Sequence, residues 1–237
     1  MMARFEDGNL SGSFGNLIFY SRDGKTYVRS KPGRRKKKRG QPADPNKTIF
    51  GKVSTQGSRM LNILKRQLLF SFSLATYNNT RSWMRNQYEA NQQQPQWDIC
   101  ARPNDMCQLN IAADLRDMLF TSLVVSNTGG GIMQVSIPAM NPQRDMKKLP
   151  AHTTAVNMKL AVLFTDFEDS SPAYIAMEQY QFNYANTLLP AKDIIIDSKA
   201  TAGNLAMVVL AIEPVARDKT FTVEWLPAAI IAMGKVK

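Results

Sequence analysis

Short apolar runs separated by turn residues dominate the chain from residue 109 onward. Seven runs rich in Val, Ile, Leu and Phe cover residues 118–126, 132–140, 155–167, 173–184, 192–197, 204–214 and 221–233. Short strands with Gly, Pro, Asn or Asp between them predict an antiparallel β-sandwich of about seven strands. The alternative interpretation, a fold of alternating helices and strands, has less support because the connectors are too short for crossover helices. The NTGGG sequence at 127–131 predicts a hairpin turn, and Pro138 indicates an edge strand or a bulge.

Residues 10–31 show a different pattern, typical of a β-hairpin. The apolar run 17–20 and the β-branched and aromatic run 26–29 flank Asp23-Gly24, a dipeptide that favours a tight turn. An isolated hairpin is only marginally stable in water, so this one needs a neighbour, either the rest of the chain or another subunit. We therefore predict that its apolar and aromatic residues form a subunit-interface arm: Phe14, Leu17, Phe19, Tyr20 and Tyr27.

Residues 48–72 carry apolar positions at four- and seven-residue spacings, which predicts a helix with Thr48 as its N-cap. Gly51 and Gly57 weaken its first half; they either admit a close backbone or mark a helix that begins near Ser58. A second helical patch is predicted over 80–92, followed by a polar break at 91–96. The predicted class is mainly β with a helical N-terminal segment (α+β). The predicted divisions are an arm and basic loop (1–47), a helical or irregular segment (48–108) and the sandwich (109–237).

Positive charge is concentrated near the N-terminus. The net charge is +11, and residues 1–66 hold 16 of the 30 Lys and Arg residues with only four acids. Six cations are contiguous in a Pro- and Gly-rich connector: Arg34, Arg35, Lys36, Lys37, Lys38 and Arg39. The sequence leaves two interpretations open, a solvated loop that aids solubility, or a salt-dependent contact with DNA phosphates or an acidic protein surface.

Residues that support catalysis or metal binding are sparse. His152 is the one histidine, and Cys100 and Cys107 lack the spacing of a metal or redox motif. We expect reduced, partly buried thiols, with a local disulfide as the alternative. The acids around Asp166 are typical of a strand-end turn and do not have EF-hand spacing. These patterns predict no enzyme, no cofactor and no metal site; a sugar site at Tyr174, Tyr180, Tyr184 and Trp225 has little support.

The opening sequence, residues 10–32, resembles an uncharacterised family common in Bacteroidetes and their phages. Its members begin with a Gly-x-x-Gly-Asn hairpin and a Gly-Lys-x-Tyr-x-Arg return strand, which match here at Gly12, Gly15, Asn16, Gly24, Tyr27, Arg29 and Pro32. The similarity covers roughly residues 10–70 and implies a helix and then a β-sandwich-like region. The resemblance implies no established activity, and the RRKKKR insert departs from the family pattern.

These sequence features are consistent with two functions. The first is a structural subunit of a multi-protein particle, a tailed-phage virion component such as a head–tail connector or tail protein, that contacts copies of itself and other subunits. The second is a sequence-nonspecific nucleic-acid-binding protein. No apolar stretch of about 18 residues is present, so no membrane partner is expected. The lack of a signal-peptide layout predicts a location in the virion or the host cytoplasm.

Overall fold

The computed structural model describes residues 4–6, 9–22, 25–31, 45–91, 98–101, 105–166, 172–217 and 220–237. The chain forms two compact units, Met1–Ala43 and Asp44–Lys237. Of the described residues, 41% lie in strands and 25% in helices, with antiparallel pairing throughout. The predicted mainly β, α+β class is therefore confirmed.

The first unit, which we call the arm, is an antiparallel sheet with strand order β1-β2-β3-β4. Its strands are β1 (Arg4–Glu6), β2 (Asn9–Phe14), β3 (Leu17–Arg22) and β4 (Lys25–Ser30). The expected hairpin is its second half, β3 and β4; β1 and β2 were not anticipated. Gly15 has a φ of +56° at the first of two residues linking β2 and β3, the position where a type II′ turn requires glycine.

The second unit, the body, contains three layers. Its elements are α1 (Pro45–Leu64), α2 (Leu74–Asn91), β5 (Cys100–Ala101), β6 (Cys107–Gln108), α3 (Leu115–Met118), β7 (Val124–Gly129), β8 (Ile132–Ile137), α4 (Pro142–Asp145), β9 (Ala155–Thr165), β10 (Tyr174–Asn183), β11 (Lys192–Asp197), β12 (Leu205–Val215) and β13 (Ala228–Lys235). The large sheet has the order β10-β9-β12-β13-β5, with β6 also paired to β13. The small sheet has the order β11-β8-β7. Strands β7 to β13 account for the seven predicted runs.

The large sheet is the middle layer. One of its faces packs on the small sheet, through residues such as Val208 and Leu210, and its other face packs on α1 and α2, through residues such as Met207 and Val209. Both faces are buried, so β12 is apolar without alternation from residue 205 to residue 212, and β9 from residue 160 to residue 164. The helices therefore belong to the same compact unit as the sandwich.

Helix α1 begins at Pro45, before Thr48, and the alternative start near Ser58 is wrong. Gly57 lies where α1 meets α2, because a Cβ at this position would come within 2.8 Å of the Met84 sulfur. Glycine therefore lets the two helices approach closely. Helix α2 is longer than its predicted patch, and the Ser73 hydroxyl caps its first turn by accepting a hydrogen bond from the Thr76 N–H at 3.1 Å.

Three details of the predicted strands require correction. The run 118–126 is a strand only from Val124, because Asp114 caps the short helix α3 by accepting from the Arg116 N–H. The run 221–233 opens with a 3-10 turn and enters β13 at Ala228. Strand β8 is central in the small sheet, so the edge prediction from Pro138 is wrong; the strand ends at Ile137, before the residue that lacks an N–H. The hairpin turn at NTGGG is confirmed.

Candidate docking surface

One side of the arm sheet is apolar and exposed. The pairs Phe14–Leu17 and Phe19–Val28 are in register, so alternation places these four side chains on the same side of the sheet. Phe14 is 72% exposed and Val28 is 52% exposed, while Leu17 is also exposed and Phe19 is half-buried. We call Phe14, Leu17, Phe19 and Val28 the apolar face. A contiguous apolar patch of this kind is a feature of protein-binding surfaces.

The opposite side of the same strands carries tyrosines and cations. Tyr20 and Tyr27 are cross-strand partners whose rings stack with centroids 5.6 Å apart and planes 21° apart. The Arg29 guanidinium lies over the Tyr20 ring, 5.6 Å from its centroid. Lys25 lies on the same side of β4, two residues before Tyr27. We call Tyr20, Lys25, Tyr27 and Arg29 the tyrosine face.

The structure separates the predicted interface residues into two groups. Phe14, Leu17 and Phe19 lie on the apolar face, whereas Tyr20 and Tyr27 lie on the tyrosine face. The predicted contact residues Arg34, Arg35, Lys36, Lys37, Lys38 and Arg39 lie outside the described residues. Sequence reasoning missed the contributions of Val28, Lys25 and Arg29, although the period-2 alternation of β4 assigns each of them to a side once the register with β3 is known.

The body has exposed apolar side chains of its own. On the outer side of the small sheet, Val124 and Ile195 are each 61% exposed, and Ile132 is also exposed. The register of β7, β8 and β11 places all three on that side, together with Asp193 and Asp197. We call Val124, Ile132 and Ile195 the outer patch. The same register places polar residues of β8 between these three side chains, so this side of the small sheet is a mixed apolar and polar surface, which we take as a second candidate protein contact.

A cavity of about 330 Å³ opens beside α3. Its walls are mainly apolar, including Leu119, Leu123, Leu210 and Ile231, and the charged residue in its lining is Arg116. Arg116 forms an ion pair with Asp114 at 2.6 Å, and its hydrogen bond holds the pKa of the Asp114 carboxyl below its usual range. Among the described residues of its lining, none is a His, Cys, Asp or Glu.

In the described part of the body, Cys107 and His152 are packed against neighbouring side chains. Cys107 is a buried, free thiol that packs beneath α2 with its sulfur 3.6 Å from the Thr80 hydroxyl. Burial raises the pKa of this thiol to about 11, so it remains protonated and unreactive near neutral pH. His152 stacks on Phe221 with ring centroids 5.2 Å apart.

Among the residues that the structure describes, no three His, Cys, Asp or Glu side chains come together as a metal site. Within the same residues, no helix is sufficiently long and apolar to cross a bilayer.

Comparisons of the chain with protein-family profiles, with curated proteins and with solved structures found no match. The resemblance of the opening residues to the Bacteroidetes and phage family stays a prediction. Functional inference for this chain therefore rests on its own surfaces, of which the two sides of the arm sheet are the most distinctive.

Proposed function

We propose that the protein is a structural subunit of a multi-protein particle, a tailed-phage virion component of the head–tail connector or tail, and that the arm of one copy docks on the body of the next. The observation that carries the proposal is the apolar face of Phe14, Leu17, Phe19 and Val28, which stays exposed on a separate compact unit. Full burial of one such side chain contributes about 1.5–3 kcal/mol. Docking therefore gives the exposed apolar face a burial that the arm sheet alone does not provide.

The size of the arm favours an assembly of many copies. Strand spacing and rise give one side of its sheet an area of roughly 350 Å². A stable interface of standard size buries about 800 Å² on each partner. A single arm contact is therefore weak, and it becomes durable where several contacts close together, because each one raises the effective concentration of the next.

The outer patch is the surface that we assign to receive the arm. Val124, Ile132 and Ile195 are branched apolar residues exposed on a sheet, complementary in character to the apolar face. An arm that binds a different surface on the next copy makes a heterologous contact, which closes into rings or extends into helical filaments. Rings and stacked rings are the geometry that a connector or tail subunit requires.

The remaining parts of the proposal concern the basic segment. Six contiguous cations, residues 34–39, would contact packaged DNA or an acidic neighbouring subunit through phosphates or carboxylates. The protein acts as structural material in the virion or the host cytoplasm and carries out no catalysis.

A test of the proposal is the mass of the full chain in solution over a range of concentrations, measured by light scattering after size exclusion. We expect the wild type to exceed its monomer mass of 26.6 kDa as concentration rises. The double variant Phe14→Ser/Val28→Thr should associate at least tenfold more weakly, because two exposed apolar side chains lose their burial in the contact. Tyr27→Thr is the control, since it removes a large exposed side chain from the opposite side of the sheet.

The outer-patch variant Val124→Thr/Ile195→Thr identifies the receiving surface. It should associate as weakly as the arm variant, and an equimolar mixture of the two variants should form nothing larger than a weak dimer, because one intact arm meets one intact patch and no further contact closes with it. A wild-type chain that stays monomeric at all concentrations would contradict the proposal. An outer-patch variant that associates as strongly as the wild type would reject the outer patch as the receiving surface.

A second candidate function is sequence-nonspecific nucleic-acid binding. The observation that favours it is charge: the unit Met1–Ala43 holds eleven Lys and Arg residues and three acids, a net charge of +8. Such an excess predicts binding whose affinity falls steeply as salt rises.

A further inference from the structure

We infer that the tyrosine face of the arm is a binding site for single-stranded nucleic acid. This site deepens the second candidate function and rests on it, but it lies on the folded sheet and not on residues 34–39. It uses the side of the arm that the docking proposal leaves free. One sheet would then hold a protein neighbour on its apolar face and a nucleic-acid strand on its other face.

The stacking geometry carries the inference. Arg29, Tyr20 and Tyr27 form a ladder across two paired strands, with a guanidinium over one ring and that ring stacked on the next. Each tyrosine keeps 41% of its surface exposed, but the Tyr20 ring is already partnered by both Arg29 and Tyr27, so a base reaches the ladder at its ends, on Tyr27 and on the Arg29 guanidinium. Nucleic-acid bases stack on exposed aromatic rings whatever their sequence, since every base has a π-face, and arginine adds a cation–π contribution.

Charge is placed beside the rings. Lys25 and Arg29 are exposed on β4, on either side of Tyr27, and exposed Lys31 follows the strand directly. A base can therefore stack on the Tyr27 end of the ladder while neighbouring phosphates meet ammonium or guanidinium groups on the same side of the sheet. Stacking rings combined with a cationic track are the two parts that a sequence-tolerant single-strand site requires.

The rings also favour a single strand over other polyanions. In a duplex the base faces are covered by their neighbours, so stacked tyrosines on a sheet have nothing to stack on. An acidic protein surface would use Lys25 and Arg29 but would gain nothing specific from Tyr20 and Tyr27. These two alternatives become outcomes of the test.

The experiment measures binding of the full chain to a labelled oligo-dT of about 15 nucleotides, a length that an aromatic platform can occupy. A duplex of the same length and poly-glutamate are the competing probes. We expect tighter binding to oligo-dT than to either competitor. Tyr20→Leu/Tyr27→Leu should weaken oligo-dT binding by about 5- to 150-fold with an unchanged salt slope. Lys25→Gln/Arg29→Gln should lower that slope by about 1.4, because two phosphate contacts are lost.

Two controls distinguish a loss of base stacking from a general disturbance of the arm fold. Tyr20→Phe/Tyr27→Phe keeps the rings and should bind as the wild type does, and Val28→Thr alters only the apolar face. Ultraviolet cross-linking of a bromouracil-substituted strand to the wild-type chain needs no substitution at all, and it should label Tyr20 or Tyr27. Cross-links confined to other residues would overturn the inference.

Replacing all six cations at 34–39 with glutamine distinguishes this site from the second candidate function. Residual oligo-dT binding that depends on Tyr20 and Tyr27 supports the site. Steep salt-dependent binding that vanishes with those six cations and ignores the tyrosines rejects the site while the second candidate function survives. A wild type that binds poly-glutamate as tightly as oligo-dT, with no effect of the leucine variant, assigns the surface to acidic proteins and also rejects the site. A wild type that binds no polyanion rejects both.

Discussion

Gly131→Ala is expected to lower the free energy of unfolding of the body by roughly 3–5 kcal/mol, in the range where single substitutions have a specific structural cause. Gly131 has a φ of +78°, and a Cβ there would lie 2.5 Å from the Ala200 carbonyl oxygen and 2.7 Å from the Ala200 nitrogen. Backbone atoms cannot move aside as a flexible side chain can. The Gly131 carbonyl also accepts hydrogen bonds from the Ser198 N–H and hydroxyl, so a shift breaks the link between the β7–β8 turn and the chain that follows β11.

The neighbouring glycine provides a matched control for this effect. Gly130 also has a positive φ, +61°, but a Cβ there meets nothing within 4 Å. Gly130→Ala should therefore cost only the left-handed backbone penalty of about 1–2 kcal/mol. Urea unfolding followed by tryptophan fluorescence measures both variants. Equal losses for the two would show that the close approach to Ala200 does not constrain the turn.

Lys159→Met is expected to cost about 3 kcal/mol, because it leaves the Glu213 carboxylate buried without its cation. The Lys159 ammonium lies 2.7 Å from the Glu213 carboxylate, with side-chain exposures of 13% and 9%, and it also donates to the Gln67 carbonyl at 3.2 Å. The pair joins β9 to β12 on the helix-covered side of the large sheet. Glu213 also lines an open cleft, so solvent reaches the carboxylate. The expected loss of unfolding free energy is therefore at the low end of the range for breaking a buried ion pair.

The double variant Lys159→Met/Glu213→Leu separates the pair's own contribution from the penalty of an orphaned charge. Replacing both ions by apolar side chains should return the free energy of unfolding to within about 1 kcal/mol of the wild type. The same urea titration, applied also to the single variant Glu213→Leu, completes the double-mutant cycle. If the double variant is as unstable as Lys159→Met, the desolvated carboxylate is not the source of the loss.

Most strands of the fold could be predicted from the sequence, because they are short apolar runs with turn residues between them. The helical layer was harder to read. Helix α2 buries Thr76, Thr80, Met84 and Asn91, and Thr76 donates to the Leu109 carbonyl, so much of its packed side is polar and gives little apolar periodicity. The burial of both faces of the large sheet was indicated by the sequence of β12, whose eight apolar residues from 205 to 212 do not alternate with polar ones, as they would if one face were open to solvent.

The candidate site was readable in part. Aromatic content identified the arm, but the division of Phe14 from Tyr20 and Tyr27 depends on strand register. That register follows from the two-residue turn at Gly15 and from the pairing of β3 with β4. Both sides of β3 carry large apolar or aromatic residues, so composition alone could not separate a docking face from a stacking face. Strands β1 and β2 lack the β-branched residues that mark strands in sequence.

The most direct test of arm docking is a photo-cross-linker placed at Phe14 in an equal mixture of ¹⁴N- and ¹⁵N-labelled full chains, analysed by mass spectrometry. Docking of the arm on a second copy predicts cross-linked peptides of mixed isotope content, joining residue 14 to the outer patch around Val124 and Ile195. Cross-links that always join peptides of the same isotope would mean that the arm contacts only its own molecule, and would contradict the proposed assembly.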